Sequence, residues 1–262
     1  AHVGGFKALE EMDKLNEIEN ILGVSSGAIF GFILAIGLKT QQMIKLLKGI
    51  TLQDVVEINT DNIFNFMNYY GLDTGEKWCT LFKTVCRKLI GNENATFLDL
   101  KNKVPKYKLI IAAANVTNKT LDYFSVDTHP DMPLWLAIRM SISVPVYFNS
   151  VYYNNCCYVD GAILQNYPIS YFDHDIKNTL GIVLTDSDIK SDVTNIGIYM
   201  YKILDCVMCT MQNYLKTKYK KNTIELFVEY NLLEFRFDHE IKDKLVNSGY
   251  KDFKENFNKK FN

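Results

Sequence analysis

From Asn20 to Leu38 the sequence carries no charged residue, a stretch long enough to cross the core of a bilayer as one helix. A second arrangement meets the same hydropathy: a short buried strand, a turn and a buried helix. The residues favour the second. Asn20 opens the stretch, and Gly23, Ser25, Ser26, Gly27 and Gly31 break it up. Glycine weakens a helix interior and marks turns. The expectation is a strand over 18–22 and a helix over 26–38 that ends at Gly37, with a tight turn between them.

The rest of the chain extends this alternation. Near-continuous apolar runs at 108–114 and 180–184 read as strands buried on both faces. A polar turn leads from the first of these into 121–126. Segments 151–153 and 156–159 flank Asn154-Asn155, a hairpin signal because Asn tolerates positive φ. Segment 223–228 alternates as a strand. Helices are expected at 6–15, 41–47, 61–90 with a break over 71–75, 134–139, 192–218 and 239–261. Strands alternating with helices imply an α/β fold, three-layer α/β/α with a mostly parallel central sheet. No repeat or linker divides the sequence, so residues 1–262 are expected to form one domain.

Composition excludes several functions. The 262 residues are 48% apolar, ample for a packed core and too apolar for disorder. Lys and Arg number 29 against 30 Asp and Glu, a net charge of −1, so there is no basic excess to neutralise nucleic-acid phosphates. Six Cys are too sparse for a disulfide scaffold and suit reduced thiols.

Chemistry concentrates at Gly23-Val24-Ser25-Ser26-Gly27, the turn between the expected strand and helix. A nucleophile elbow needs this context. Its middle residue sits on a strained bend that lifts the hydroxyl clear of the sheet, and the flanking glycines are expected to let strand and helix backbones close up. The Ser26 N–H, at the helix N-terminus, would face a developing oxyanion. A plain glycine-rich strand-to-helix turn is the bland alternative.

Ser25 needs a base. His2, His129, His174 and His239 all stand in contexts that suit surface residues; His174 or His239 would be required for a Ser-Asp-His esterase. Asp160, at the end of a hairpin strand and followed by Gly161, is the other candidate. An enclosed carboxylate there would have a raised pKa and could take the serine proton directly. On the residues alone the stronger reading is that Asp160 caps its turn, as Asp-Gly commonly does.

Taken together, Ser25 in Gly-x-Ser-x-Gly and Asp160 in Asp-Gly-Ala, with Asn166 and Pro168 beyond it, resemble the patatin-like phospholipase family. Residues 1–11 are similar to that family's first helix and 108–125 to its hairpin. Residues 139–148 are similar to its small-residue and proline segment, and 248–250 to its closing helix. The resemblance implies a patatin-like variant of the α/β-hydrolase fold. It implies Ser25 as nucleophile and Asp160 as general base without histidine, with Gly23, Ser26 and Gly27 forming the elbow and Gly161 and Ala162 the turn at the acid. The implied activity is phospholipase A or lysophospholipase hydrolysis of carboxylic esters through an acyl-enzyme. No metal or organic cofactor is implied. The implied substrate is a phospholipid or lysophospholipid, met in transient contact with a membrane surface by a cytoplasmic or peripheral protein.

The family's Gly-Gly-Gly-x-Arg/Lys-Gly loop, source of most oxyanion donors, would lie before Ala1. Gly4 and Gly5 fall inside the first helix and are not assigned to it. A chain shortened just before residue 1 is the expectation; a catalytically impaired lipid-binding relative is the alternative. Cys206 and Cys209 have redox or metal spacing but read as buried helical thiols. Ile196, Met200, Ile203, Val207, Met211 and Tyr214 step by three and four and are expected in the core. Lys216, Lys218, Lys220 and Lys221 complement that helix's C-terminal dipole, or attract anionic lipid headgroups.

Overall fold

The computed structural model describes residues 1–57, 66, 70–186, 193–194, 196–228 and 238–261. Helix α1 (His2–Glu11) precedes the charge-free stretch, which folds as strand β1 (Asn20–Val24) and helix α2 (Ser26–Ala35). Among the described residues no helix is long and apolar enough to cross a membrane. The order continues with α3 (Thr40–Gly49), β2 (Gly71–Asp73), α4 (Glu76–Leu89), α5 (Phe97–Lys103), β3 (Lys108–Asn115), β4 (Thr120–Ser125) and α6 (Leu134–Ser141). Then follow β5 (Val146–Phe148), β6 (Val151–Tyr153), β7 (Cys156–Asp160), α7 (Ala162–Gln165), β8 (Gly181–Asp186), α8 (Ile196–Lys218), β9 (Thr223–Val228) and α9 (His239–Phe261). Of the helix expected over 61–90, positions 61–65 and 67–69 lie outside the described residues, as does 192, the expected start of α8.

Strand β3 organises the central sheet. Along one side it pairs with β4 in antiparallel register, from Ile110 opposite Ser125 to Asn115 opposite Thr120. The other side is shared. Parallel β1 occupies it from Lys108 to Ala112, and antiparallel β7 takes over from Ala113 to Asn115. Strand β6 returns on β7 through Asn154 and Asn155, both at positive φ (48° and 61°), as a two-residue hairpin requires. The central sheet is thus mixed and not mostly parallel, because its short hairpins force antiparallel pairs and only β1 runs parallel to β3; β2 with β5 and β8 with β9 pair in parallel as two separate two-stranded sheets. Helices cover it in the three-layer α/β/α arrangement. Phe32, Phe97, Phe124, Ile111 and Ile138 fill the core and are fully buried.

Gly4 and Gly5 serve packing. A Cβ on Gly4 would come within 2.5 Å of the Tyr250 backbone nitrogen, so glycine alone lets α1 lie this close to α9.

Helix α8 departs from expectation. Ile196, Met200, Ile203, Val207, Met211 and Tyr214 do share a face, but all are exposed, Ile196 at 74% and Tyr214 at 63%. Cys206 and Cys209 are exposed thiols and not buried ones. Gln212, Leu215 and Tyr219 are buried instead. Periodicity shows which side chains stand together; what covers them is decided elsewhere in the chain.

Candidate active site

Ser25 sits at φ 52°, ψ −125°, a conformation that costs a non-glycine residue about 1–3 kcal/mol. The bend is held on both sides. A Cβ on Gly23 would lie 2.6 Å from the Ala28 Cα, so strand and helix approach as the elbow requires. Gly27 differs from the expectation: a Cβ there would meet nothing within 4 Å, because position 27 faces the pocket and not the strand. Ser26 opens α2, so its N–H is among the four that no helix carbonyl reaches.

The register of β3 brings Asp160 to this bend. Val24, the residue before Ser25, pairs with Ala112; Asp160 pairs with Ala113. Neighbouring positions on a strand are only about 3.3 Å apart along its axis. Nucleophile candidate and acid candidate, distant in sequence, therefore meet where β1 hands over to β7. Gly161 permits the contact, since a Cβ there would lie 2.7 Å from the Ala112 carbonyl oxygen.

The carboxyl group of Asp160 is 1% exposed, and its two oxygens differ. Oδ1 accepts the Ala162 N–H at 2.8 Å, the turn cap that Asp-Gly suggested. Oδ2 is buried without a hydrogen-bond partner of full geometry. Burial pushes the pKa from 3.8 up to about 7, and the Ala162 N–H and the Ser25 hydroxyl draw it partly back. The hydroxyl is thus near the carboxylate yet not aligned for a full hydrogen bond, as is common before substrate binds. Cap and acid coexist because they use different oxygens.

Three residues that sequence reasoning did not single out fix this geometry. The Ser141 hydroxyl accepts the Ser25 N–H at 3.0 Å and donates to the Ala112 carbonyl at 2.7 Å, pinning elbow to strand. The Asp160 N–H donates to the Ser143 carbonyl at 2.9 Å. Arg139, buried, donates to the Ser143 hydroxyl, to Thr74 O at 2.8 Å and to Asn149 O at 3.0 Å. The available signal was a run of polar residues, Arg139, Ser141 and Ser143, inside an otherwise apolar segment. Ser141→Ala strands one buried donor and one buried acceptor, so a loss of about 1–3 kcal/mol is expected in denaturant unfolding. Unaltered stability would show the two bonds to be immaterial.

Ser25, Ser26 and Asp160 open into a pocket of about 2080 Å³ whose lining includes Tyr147, Phe148 and Met208. That exceeds the roughly 300–1,000 Å³ of most small-molecule sites. His174 and His239 are exposed and absent from its lining. His2 lines it, stacked on Phe30 with ring centroids 5.4 Å apart, and burial pushes its pKa down to about 3.

Over 159 residues the chain is 33% identical to the probable lipid hydrolase 463L of Invertebrate iridescent virus 6, a match covering 60% of this chain and 53% of that protein. Over 258 residues it is 26% identical to the R571 protein of Acanthamoeba polyphaga mimivirus, covering 94% and 85%. In three dimensions it is similar to VipD from Legionella pneumophila, with a TM-score of 0.64 at 14% identity, over 99% of this chain and 64% of that one. The chain thus spans little more than half of the first viral relative and under two thirds of VipD. The patatin-like phospholipase family profile matches residues 1–173, the part that holds both the strained serine and the buried acid, and the chain belongs to that family.

Proposed function

We propose that the protein is a lipid acyl hydrolase of the phospholipase A or lysophospholipase type, working through Ser25 and Asp160. The observation that carries this is the meeting of a strained serine and a buried carboxyl group against adjacent positions of β3, with Oδ2 left without a hydrogen-bond partner and the Ser25 hydroxyl close enough to draw the carboxyl pKa down. In this reading Ser25 Oγ attacks the ester carbonyl carbon as its proton passes to Asp160 Oδ2. The oxyanion forms at the N-terminus of α2, where the Ser26 N–H and the helix dipole stabilise it. Collapse breaks the ester C–O bond, and the leaving alkoxide takes the proton back from Asp160. Water then attacks the acyl-enzyme and gives its proton to the same carboxylate. Collapse of this second intermediate breaks the acyl–Oγ bond, Asp160 returns its proton to Ser25 Oγ, and the fatty acid leaves.

A pKa near 7 suits both halves of that cycle, because the group must accept and return a proton near neutral pH. The same reading takes residues 1–262 as one catalytic unit, supported by the close packing of α1 on α9. A Ser-Asp-His esterase is less well supported, since His174 and His239 stand outside the pocket. A fluorophosphonate probe separates a working hydrolase from a lipid-binding relative: labelling confined to Ser25 is expected. No labelling, together with no release of fatty acid from lysophospholipid, would exclude the hydrolase.

A further inference from the structure

Helix α8 has two unlike sides. Inward, Lys202, Asp205, Met208 and Gln212 line the pocket that holds Ser25 and Asp160, and Met208 packs beside Val24 and Ala162. Outward, Ile196, Tyr199, Met200, Ile203, Val207, Met211 and Tyr214 form a continuous strip, 39% to 74% exposed. Among the described residues of 196–214, the charged ones are Lys202 and Asp205, both on the pocket side. Beyond Tyr214 the strip meets lysines. Lys218 follows it on the same side, and Lys220 and Lys221 are exposed just past the helix end. Lys218 keeps a long 3.9 Å pairing with Asp173. Lys216 points elsewhere, bridged to Glu225 at 2.6 Å.

Apolar strips of this extent seldom face water without a purpose. We propose that the outward face of α8 is the surface by which the protein settles on an anionic lipid bilayer. The inference rests on the lipid-hydrolase reading above and adds where the substrate's source is engaged. Charge complementarity selects a lipid surface over a second copy of the chain. The described strip over 196–214 offers no acidic group, and Asp173, the acid beside Lys218, is already engaged with it, so the same face on a second copy gives Lys220 and Lys221 nothing to pair with along the strip. A bilayer presents hydrocarbon for the apolar side chains and anionic headgroups for Lys218, Lys220 and Lys221. The placement also serves chemistry, because the reverse side of the same helix walls the pocket.

The test is co-sedimentation with phosphatidylcholine vesicles, with and without phosphatidylserine, using Ser25→Ala protein so that no lipid is consumed. Ile203→Asp, Val207→Asp and Met211→Asp are combined in one variant; far-UV circular dichroism and thermal unfolding check that it folds. Its vesicle partition constant is expected to fall at least about tenfold. Lys220→Glu with Lys221→Glu is expected to lower binding severalfold, and only on vesicles containing phosphatidylserine. Unchanged partition of the folded triple variant would overturn the proposal. So would a dimer in sedimentation velocity that the triple variant dissociates while vesicle binding persists. Failure of the hydrolase reading is distinguishable: it shows as absent turnover of a dissolved short-chain ester by the unsubstituted protein, whatever the vesicles report.

Discussion

Asp160→Asn is expected to abolish hydrolysis while making the protein harder to unfold above neutral pH. The two effects share one cause. Burial holds the carboxyl pKa at about 7 against 3.8 in the free residue, so between those values the folded state binds a proton that the unfolded chain has released. The stability this group contributes is therefore fully present below about pH 3.8 and is lost as pH rises through about 7. At pH 8 the native protein carries a desolvated carboxylate. Asn removes that charge, and its Oδ1 still accepts the Ala162 N–H, so a gain on the order of a few kcal/mol is expected in urea unfolding at pH 8. Hydrolysis should fall about 10⁴-fold, the scale seen when an acid of a serine triad is neutralised. In the unsubstituted protein the rate should rise with pH and level off above about 7, because the proposed mechanism uses the carboxylate as base. An Asn variant that hydrolyses normally, or unfolds more easily at pH 8, would rule out the assigned role.

Ser25→Ala is expected to lower ester turnover by roughly 10⁴- to 10⁶-fold, since in the proposed reading Ser25 is the group that carries the acyl chain. Loss of activity alone does not distinguish removal of a nucleophile from damage to the bend. Ser25→Gly makes the distinction. Gly tolerates φ 52° without strain, so the Gly variant should be more stable than the Ala variant by about 1–2 kcal/mol, yet equally inactive. Measurable turnover by either variant would place the nucleophile elsewhere.

What the sequence made legible was local. The charge-free stretch, its glycines and the Asn154-Asn155 hairpin follow from backbone preferences that act over a few residues, and the structure keeps all three. Ser25 and Asp160 stood out because elbow and Asp-Gly turn each carry their own signature. Their meeting did not, since it depends on which strands flank β3 and in what register. Ser141 and Arg139 were hidden for the same reason: a buried hydroxyl or guanidinium has meaning only once its distant acceptors are known. Gly27 and α8 show the opposite error. The Gly-x-Ser-x-Gly pattern assigns both glycines to relieving a clash, and the structure gives that clash to Gly23 alone. The apolar stripe of α8 was assigned to the core because helical spacing is shared by faces that meet protein and faces that meet solvent.

The handover of β1 to β7 along a single strand also sets where this chain tolerates rebuilding. Because adjacent residues of β3 hold the strands that carry the two candidate groups, the exposed connections of the intervening polypeptide form a tether whose length does not enter the geometry. The exposed turn at 91–94 lies on that tether, so extra residues grafted there leave the two side chains where they are. A single residue deleted from 109–112 would do the reverse, turning the strand's alternate side chains inside out and shifting serine against aspartate.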